Sequence, residues 1–301
     1  IAKGLSKDGG LYLPTEIPSF TQEELTALKT ASYIERAEIV LGKFLTDFTK
    51  EELHACCFNA YNGSFDKGHP APVKPLNETL NVLELWHGPT CAFKDLALQI
   101  LPHLLTTSTK KIGSNKETVI LVATSGDTGK AALEGFKDVD GTKIIVFYPT
   151  DGVSKMQKRQ MATQEGKNVM VCSIKGNFDD AQTGVKVIFG DKEFNAQINE
   201  NNKHLSSANS INWGRLAPQI VYYVSAYFDM GCPNEFNVVV PTGNFGNILA
   251  AFYAKQMGIP INKLICASNK NRVLTDFLKS GEYNKNREFF ATESPSMDIL
   301  I

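Results

Sequence analysis

Short, uninterrupted apolar runs punctuate the second half of the chain, and amphipathic stretches separate them. Thr118-Val119-Ile120-Leu121-Val122-Ala123 comes first, followed by Lys143-Ile144-Ile145-Val146-Phe147-Tyr148 and Asn168-Val169-Met170-Val171-Cys172. A second series holds Asn237-Val238-Val239-Val240 and Lys263-Leu264-Ile265-Cys266-Ala267. Runs this short, rich in β-branched residues and without polar alternation, predict strands buried on both faces. Helix-like sequence begins at Lys130, near Ser154 and at Asn247, and residues 213–230 read as one long amphipathic helix between the series. Strands alternating with helices predict parallel sheets, so the expected fold class is α/β with two parallel-sheet units.

The first 80 residues are less regular and read as helical in part. Lys7-Asp8-Gly9-Gly10-Leu11-Tyr12-Leu13-Pro14 predicts a turn followed by a short extended run. Thr21-Gln22-Glu23-Glu24 carries a capping-box signal for a helix start. Gly68, Pro70, Pro72 and Pro75 crowd residues 65–75, which marks a connection and a boundary.

Composition narrows the function classes. A net charge of -1 over 301 residues lacks the clustered cations that nucleic acid or an anionic membrane demands, so neither is expected as a partner. No apolar run approaches the roughly 20 residues needed to span a bilayer. Cys56, Cys57, Cys91, Cys172, Cys232 and Cys266 form no CxxC pair and read as reduced thiols of an intracellular protein. His54, His69, His87, His103 and His204 lack metal-ligand spacing, so no metal site is expected.

In doubly wound sheets, ligands bind in the loops at the carboxyl ends of strands. Two such loops are unusual. Thr124-Ser125-Gly126-Asp127-Thr128-Gly129 joins a buried strand to a helix, with hydroxyls, a carboxylate and helix N-terminal amides. That set suits an anion, and equally suits an ordinary turn capped by Asp127. Pro241-Thr242-Gly243-Asn244-Phe245-Gly246-Asn247 has the same setting. Its glycines leave backbone amides accessible, and it is neither a Walker loop nor a dinucleotide fingerprint. A phosphate without a nucleotide attached is the expected ligand.

A third segment, Leu85-Trp86-His87-Gly88-Pro89-Thr90-Cys91-Ala92-Phe93-Lys94-Asp95-Leu96-Ala97-Leu98-Gln99, places Lys94 between an aromatic ring and an apolar helical run. Desolvation lowers a lysine's pKa and frees its amine to attack a carbonyl. The plainer alternative is a surface lysine paired with Asp95. His87 either hydrogen-bonds a backbone group that shapes the turn or takes part in proton transfer.

Together these segments resemble the threonine synthases. The Lys94 segment is similar to their His-Gly-Pro-Thr-x-Ala-Phe-Lys-Asp motif. Residues 124–129 and 241–247 resemble their Thr-Ser-Gly-Asp-Thr-Gly and Pro-Thr-Gly-Asn-Phe-Gly-Asn loops. Asp8-Gly9-Gly10-Leu11-Tyr12 and Asn209-Ser210-Ile211-Asn212-Trp213-Gly214-Arg215 match two further family segments, in order along nearly the whole chain.

The resemblance implies a fold type II pyridoxal-phosphate enzyme of the tryptophan-synthase-β-like family, cytoplasmic, monomeric or homodimeric. It would convert O-phospho-L-homoserine and water to L-threonine and phosphate. It implies three parts: an N-terminal segment 1–80, a smaller α/β domain 81–205 with Lys94 at its start, and part of a larger α/β domain, 206–301. Lys94 would be the catalytic residue and carry the cofactor, with Phe93, Asp127, Gly243, Asn244, Phe245, Gly246 and Asn247 around it. Thr124, Ser125, Gly126, Thr128, Lys155, Ser210, Asn212 and Arg215 would bind substrate. Asp127 stands where relatives in the wider family keep asparagine. Family members usually begin before Ile1 and continue beyond residues 294–300, and the group facing the pyridine nitrogen is expected in that further part. Two competing readings are a phospho-lyase that releases 2-oxobutyrate and a non-catalytic fragment that keeps the fold.

Overall fold

A computed structural model describes residues 1–4, 10–124, 126–150, 153–209, 212–284, 286–288, 290, 292–294 and 297–298. Asp8, Gly9, Ser125, Ser210 and Ile211, all singled out by the sequence, lie outside the described residues.

The chain opens with three helices, α1 (Gln22–Thr30), α2 (Tyr33–Gly42) and α3 (Lys50–Tyr61). Each starts in a complete capping box, Thr21 with Glu24, Ser32 with Glu35 and Thr49 with Glu52, so two otherwise unpaired amides are satisfied at each start. An antiparallel pair follows, β1 (Val73–Pro75) and β2 (Asn81–Leu83), in the proline-rich stretch expected to be only a connection. Short α4 (Asp95–Leu98) and α5 (Leu101–Lys111) lead to the first sheet.

That sheet is built from β3 (Glu117–Ala123), α6 (Asp127–Phe136), β4 (Thr142–Pro149), α7 (Lys155–Ala162), β5 (Val169–Ile174), α8 (Phe178–Gly190), α9 (Lys192–Glu200) and β6 (Lys203–Ser207). Its strands are parallel, in the order β5-β4-β3-β6. Alternate residues of β3 face opposite ways. Ile120 and Val122 pack with Ala131, Leu133 and Phe136 of α6, whereas Val119 and Leu121 pack with Ala181 and Val185 of α8. Helices on both faces explain why the strand is uniformly apolar.

α10 (Trp213–Asp229) then leads to β7 (Phe236–Pro241), α11 (Gly246–Gln256), β8 (Ile261–Ala267) and α12 (Val273–Ser280). β7 and β8 pair in parallel. Here the expectation of a sheet covered on both faces needs correction. α11 packs on the pair, yet Val239 is 61% and Ile265 42% exposed. Among the described residues nothing covers that second face. α10 is almost wholly buried, and its Ile220, Val221 and Val224 share one core with α2, α3 and α11. Among the described residues no helix is long and apolar enough to cross a membrane.

Candidate active site

The turn before α4 is shaped by a close approach. A Cβ on Gly88 would stand 2.6 Å from Asp95 Oδ2, so only glycine lets that carboxylate fold back over the turn. Asp95 is fully buried, and its oxygens accept from the Thr90 amide at 2.8 Å and the Thr90 hydroxyl at 2.6 Å. Burial pushes its pKa up, and the Thr90 bonds pull it back. Among the described residues the His87 ring bonds no backbone group. Its Nε2 lies 2.7 Å from Glu84 Oε2, and only its carbonyl braces the chain, by accepting from the Asp66 amide.

Lys94 follows this turn. Its side chain is 14% exposed, and its Nζ lies 3.4 Å from Asp127 Oδ2, with the Phe93 ring centroid 5.3 Å away. The surface lysine paired with Asp95 is therefore excluded: Lys94 is largely covered, and Thr90 occupies the Asp95 oxygens. Burial lowers the Lys94 pKa, the charge of Asp127 opposes that, and the charge of Arg215 adds to it. An amine in this setting sheds its proton more readily than an exposed one and becomes a nucleophile or a base.

Asp127 is the first residue of α6. Gln157 Nε2 donates to its Oδ1 at 2.7 Å, which leaves Oδ2 toward Lys94. Gly126 before it has φ of 146°, and a Cβ there would fall 2.3 Å from the Gln157 side-chain carbon. Thr124 is not turned outward as its expected substrate role requires. Its Oγ1 accepts from the amides of Gly126 at 3.0 Å and Gly129 at 2.9 Å, so it braces the loop. Thr128 is half-buried and makes no hydrogen bond among the described residues.

The loop after β7 is built differently. Phe245 adopts the left-handed conformation (φ 63°) and is the N-cap of α11, with no side-chain bond closing that end. Thr242 ties the loop to β8 through its amide, which donates to the Ala267 carbonyl at 2.7 Å. Asn244 and Phe245 are exposed, and a Cβ on Gly246 would meet nothing within 4 Å. Asn247, second in α11, accepts at Oδ1 from the hydroxyls of Tyr222 at 2.7 Å and Tyr223 at 2.5 Å.

α10 connects this loop to the lysine. Arg215 is 2% exposed; its Nη1 donates to the Ala208 carbonyl, and its Nε has no partner among the described residues. Burial lowers its pKa to about 10, which leaves it cationic near neutrality. From Arg215 a chain of bonds runs along the helix: Gln219 Nε2 donates to the Arg215 carbonyl, and Tyr222 lies against Gln219 Oε1 and Asn247. Asn212 departs from its expected substrate role. Its Oδ1 caps α10 at the Gly214 amide and its Nδ2 donates to the Ile1 carbonyl, so both ends of the amide are occupied.

Lys155 departs too. It is exposed in the first turn of α7 and makes no hydrogen bond or ion pair among the described residues. The residue that α7 brings to the site is Gln157. Its only sequence signal is a capping-box spacing from Ser154, a pattern that locates a helix start and not a partner. Tyr222 and Tyr223 carried no signal beyond the apolar stripe of their helix.

A largely buried lysine beside the loop after β3, and a second strand-to-helix loop whose helix starts without a side-chain cap, suit a phosphorylated carbonyl compound. Residues 70–299 match the family model for the pyridoxal-phosphate dependent enzymes, and the chain belongs to that family. Residues 1–61 match the threonine synthase N terminus. Within the family, it is 45% identical over 318 residues to threonine synthase-like 1 of Macaca fascicularis, covering 100% of this chain and 42% of that protein. It is 40% identical over 316 residues to threonine synthase of Eremothecium gossypii, covering 100% of this chain and 60% of that one. The pyridoxal-phosphate-bound threonine synthase structure from Brucella melitensis superposes with a TM-score of 0.88 at 44% identity, covering 99% of this chain and 63% of that chain. The chain thus spans roughly two-fifths to three-fifths of the length of these relatives.

The cofactor is pyridoxal phosphate, and the residues present fit it. The aldehyde requires an amine that loses its proton readily, which burial provides at Lys94. The phosphate requires donors, and the uncapped N-terminus of α11 offers them beside the open space at Gly246.

Proposed function

We propose that this chain carries the cofactor site of a threonine synthase, which converts O-phospho-L-homoserine and water to L-threonine and phosphate. The observation that carries this reading is Lys94: buried, lowered in pKa, and held by Asp127 instead of its sequence neighbour. Bound pyridoxal phosphate supplies an electron sink for charge that develops on carbon beside the substrate amino group.

The chain's own residues do the rest. Lys94 Nζ, poised to lose its proton, takes one from the substrate's Cα and another from Cβ, and gives protons back at Cγ and at Cα as the product forms. Asp127 keeps that amine in place and stays in place itself because Gln157 grips its second oxygen. Phosphate leaves from Cγ as a dianion, and Arg215 is the buried cation whose planar fork suits it. Water then adds at Cβ. The amides at the start of α11, with Asn247, hold the cofactor phosphate, and Thr124 keeps the facing loop rigid. The same reading assigns residues 1–80, 81–205 and 206–301 to an N-terminal segment, a smaller α/β domain and part of a larger one, acting as a monomer or homodimer in the cytoplasm.

A second reading keeps the loss of phosphate and omits the addition of water, and it would release 2-oxobutyrate. Product analysis with O-phospho-L-homoserine separates the two. For the site itself, the test is borohydride trapping of pyridoxal phosphate followed by peptide mapping. The label is expected on Lys94 and lost in Lys94→Ala; a label that persists in that variant defeats the assignment.

A further inference from the structure

Asn247 is held in a way that its place in the loop does not require. Its Oδ1 meets two phenol oxygens from neighbouring positions of α10, Tyr222 and Tyr223, whose ring centroids are 4.7 Å apart. Burial raises the pKa of both phenols, so each keeps its hydrogen and can donate.

Counting hydrogens decides which way the amide faces. Gln219 Nε2 donates to the Arg215 carbonyl at 2.7 Å, which only accepts, so Gln219 Oε1 is the atom left 3.2 Å from Tyr222. Tyr222 has one hydrogen for two acceptors, and the shorter contact, 2.7 Å, is to Asn247. The Tyr223 hydrogen goes to Asn247 Oδ1, the other acceptor within reach being the Tyr222 oxygen. With the amide reversed, Nδ2 would donate to both phenols and Tyr222 would turn to Gln219. The Tyr223 hydrogen would then be left with only the phenol oxygen of Tyr222, in a side chain only 4% exposed. An amide oxygen that takes both phenol hydrogens is the stronger acceptor, so the amide is held with its oxygen on α10. Its Nδ2 makes no hydrogen bond among the described residues and remains a donor at the N-terminus of α11.

We propose that Tyr223, assisted by Tyr222, is a positioning residue for the cofactor phosphate: it locks the Asn247 amide so that Nδ2 is presented as a phosphate donor. The inference rests on the reading of 243–247 as the cofactor-phosphate loop. Nothing in it requires the tyrosines to touch cofactor or substrate. Their role is to remove the rotational freedom by which Asn247 could offer its oxygen, a repulsive group, to an anion.

Phosphate dependence is the readout that a merely structural role would leave alone. Dissociation constants for pyridoxal phosphate and for pyridoxal, which lacks the phosphate, are measured on the full chain and its variants. Tyr223→Phe keeps the ring and drops the hydroxyl. It is expected to weaken pyridoxal phosphate binding about tenfold and to leave pyridoxal unchanged, the size expected for one hydrogen bond to a charged group. Asn247→Asp still offers the phenols an acceptor but has lost the donor, so its phosphate preference falls further. Equal weakening toward both ligands in Tyr223→Phe would mean a structural role and overturn the proposal. So would an unchanged ratio in Tyr223→Phe while Asn247→Ala lowers it. If Asn247→Ala also leaves the ratio unchanged, the phosphate-loop reading fails first and the proposal with it. Should Tyr223→Phe not fold, Asn247→Asp decides: full retention of phosphate preference there refutes the donor role.

Discussion

The loops after β3 and β7 share one plan, a parallel strand, a glycine-containing turn and a helix, yet they spend their polar groups in opposite ways. After β3 the groups are turned inward. Thr124 Oγ1 takes the amides of Gly126 and Gly129, and Asp127 is gripped by Gln157 on one oxygen while it faces Lys94 with the other. After β7 they are left available. α11 begins without a side-chain cap, Gly246 borders open space, and the one clamped side chain, Asn247, is held through its acceptor so that its donor stays free. A loop whose amides are already satisfied sets geometry for a neighbouring amine. One whose amides are unsatisfied asks for an anion. Two loops that look alike as strings of glycine and hydroxyl thus divide the labour between positioning and binding.

The largest test of that division is a matched pair of substitutions. Gly126→Ala forces a side chain into φ of 146° and against Gln157, which must then leave Asp127. A loss of roughly 3 kcal/mol in unfolding free energy is expected from the backbone strain and the broken bond together. Gly246→Ala adds a methyl to open space at the start of a helix, and its stability should stay within about 0.5 kcal/mol of the parent. Urea denaturation measures both. Equal losses at the two positions would erase the distinction between the loops.

Next in size is Thr124→Val, nearly the same shape without the oxygen. Two amides in a buried loop lose their acceptor, at an expected cost of about 2 kcal/mol in the same denaturation experiment. A change below about 0.5 kcal/mol would show that the hydroxyl is not the brace of this loop.

How far the sequence foretold this depends on where each signal resides. β3 and β4 were legible because both faces of their central residues are covered, so residues 119–123 and 144–148 are apolar. β6, Lys203-His204-Leu205-Ser206-Ser207, was not, because Leu205 is its one apolar residue and no run marks it. The β1–β2 pair hid among prolines. At the site, Lys94, Asp127 and the 243–247 loop were legible through motifs, and their surroundings decided between meanings the sequence left open. The burial of Asp95 under Thr90 is what frees Lys94 from its neighbour, and no local pattern encodes that. Gln157, Tyr222 and Tyr223 reach the site across 30, 25 and 24 residues of chain, so their roles exist only in the packed molecule.

The smallest expected effect is a slope, and it asks how much the inward-turned loop compensates for the burial of Lys94. Burial lowers the lysine's pKa from its ordinary 10.5, and Asp127 opposes the shift. Between the lowered value and 10.5 the unfolded chain therefore binds more protons than the folded one, and stability rises with pH through that window. Below the window the folded chain carries a buried charge, and the cost is present in full. Lys94→Met removes the group. It should be more stable than the parent at pH values below the window, with the gap closing as pH climbs toward 10.5. Asp127→Asn keeps an acceptor for Gln157 and drops the charge that favours protonated Lys94, so its window should extend to lower pH than the parent's. Cofactor-free protein unfolded in urea across the alkaline range reads all three. Parallel profiles for the parent and Lys94→Met would mean that the folded chain leaves this lysine as it finds it. The loop after β3 would then have nothing to compensate, and its inward turn would serve only its own stability.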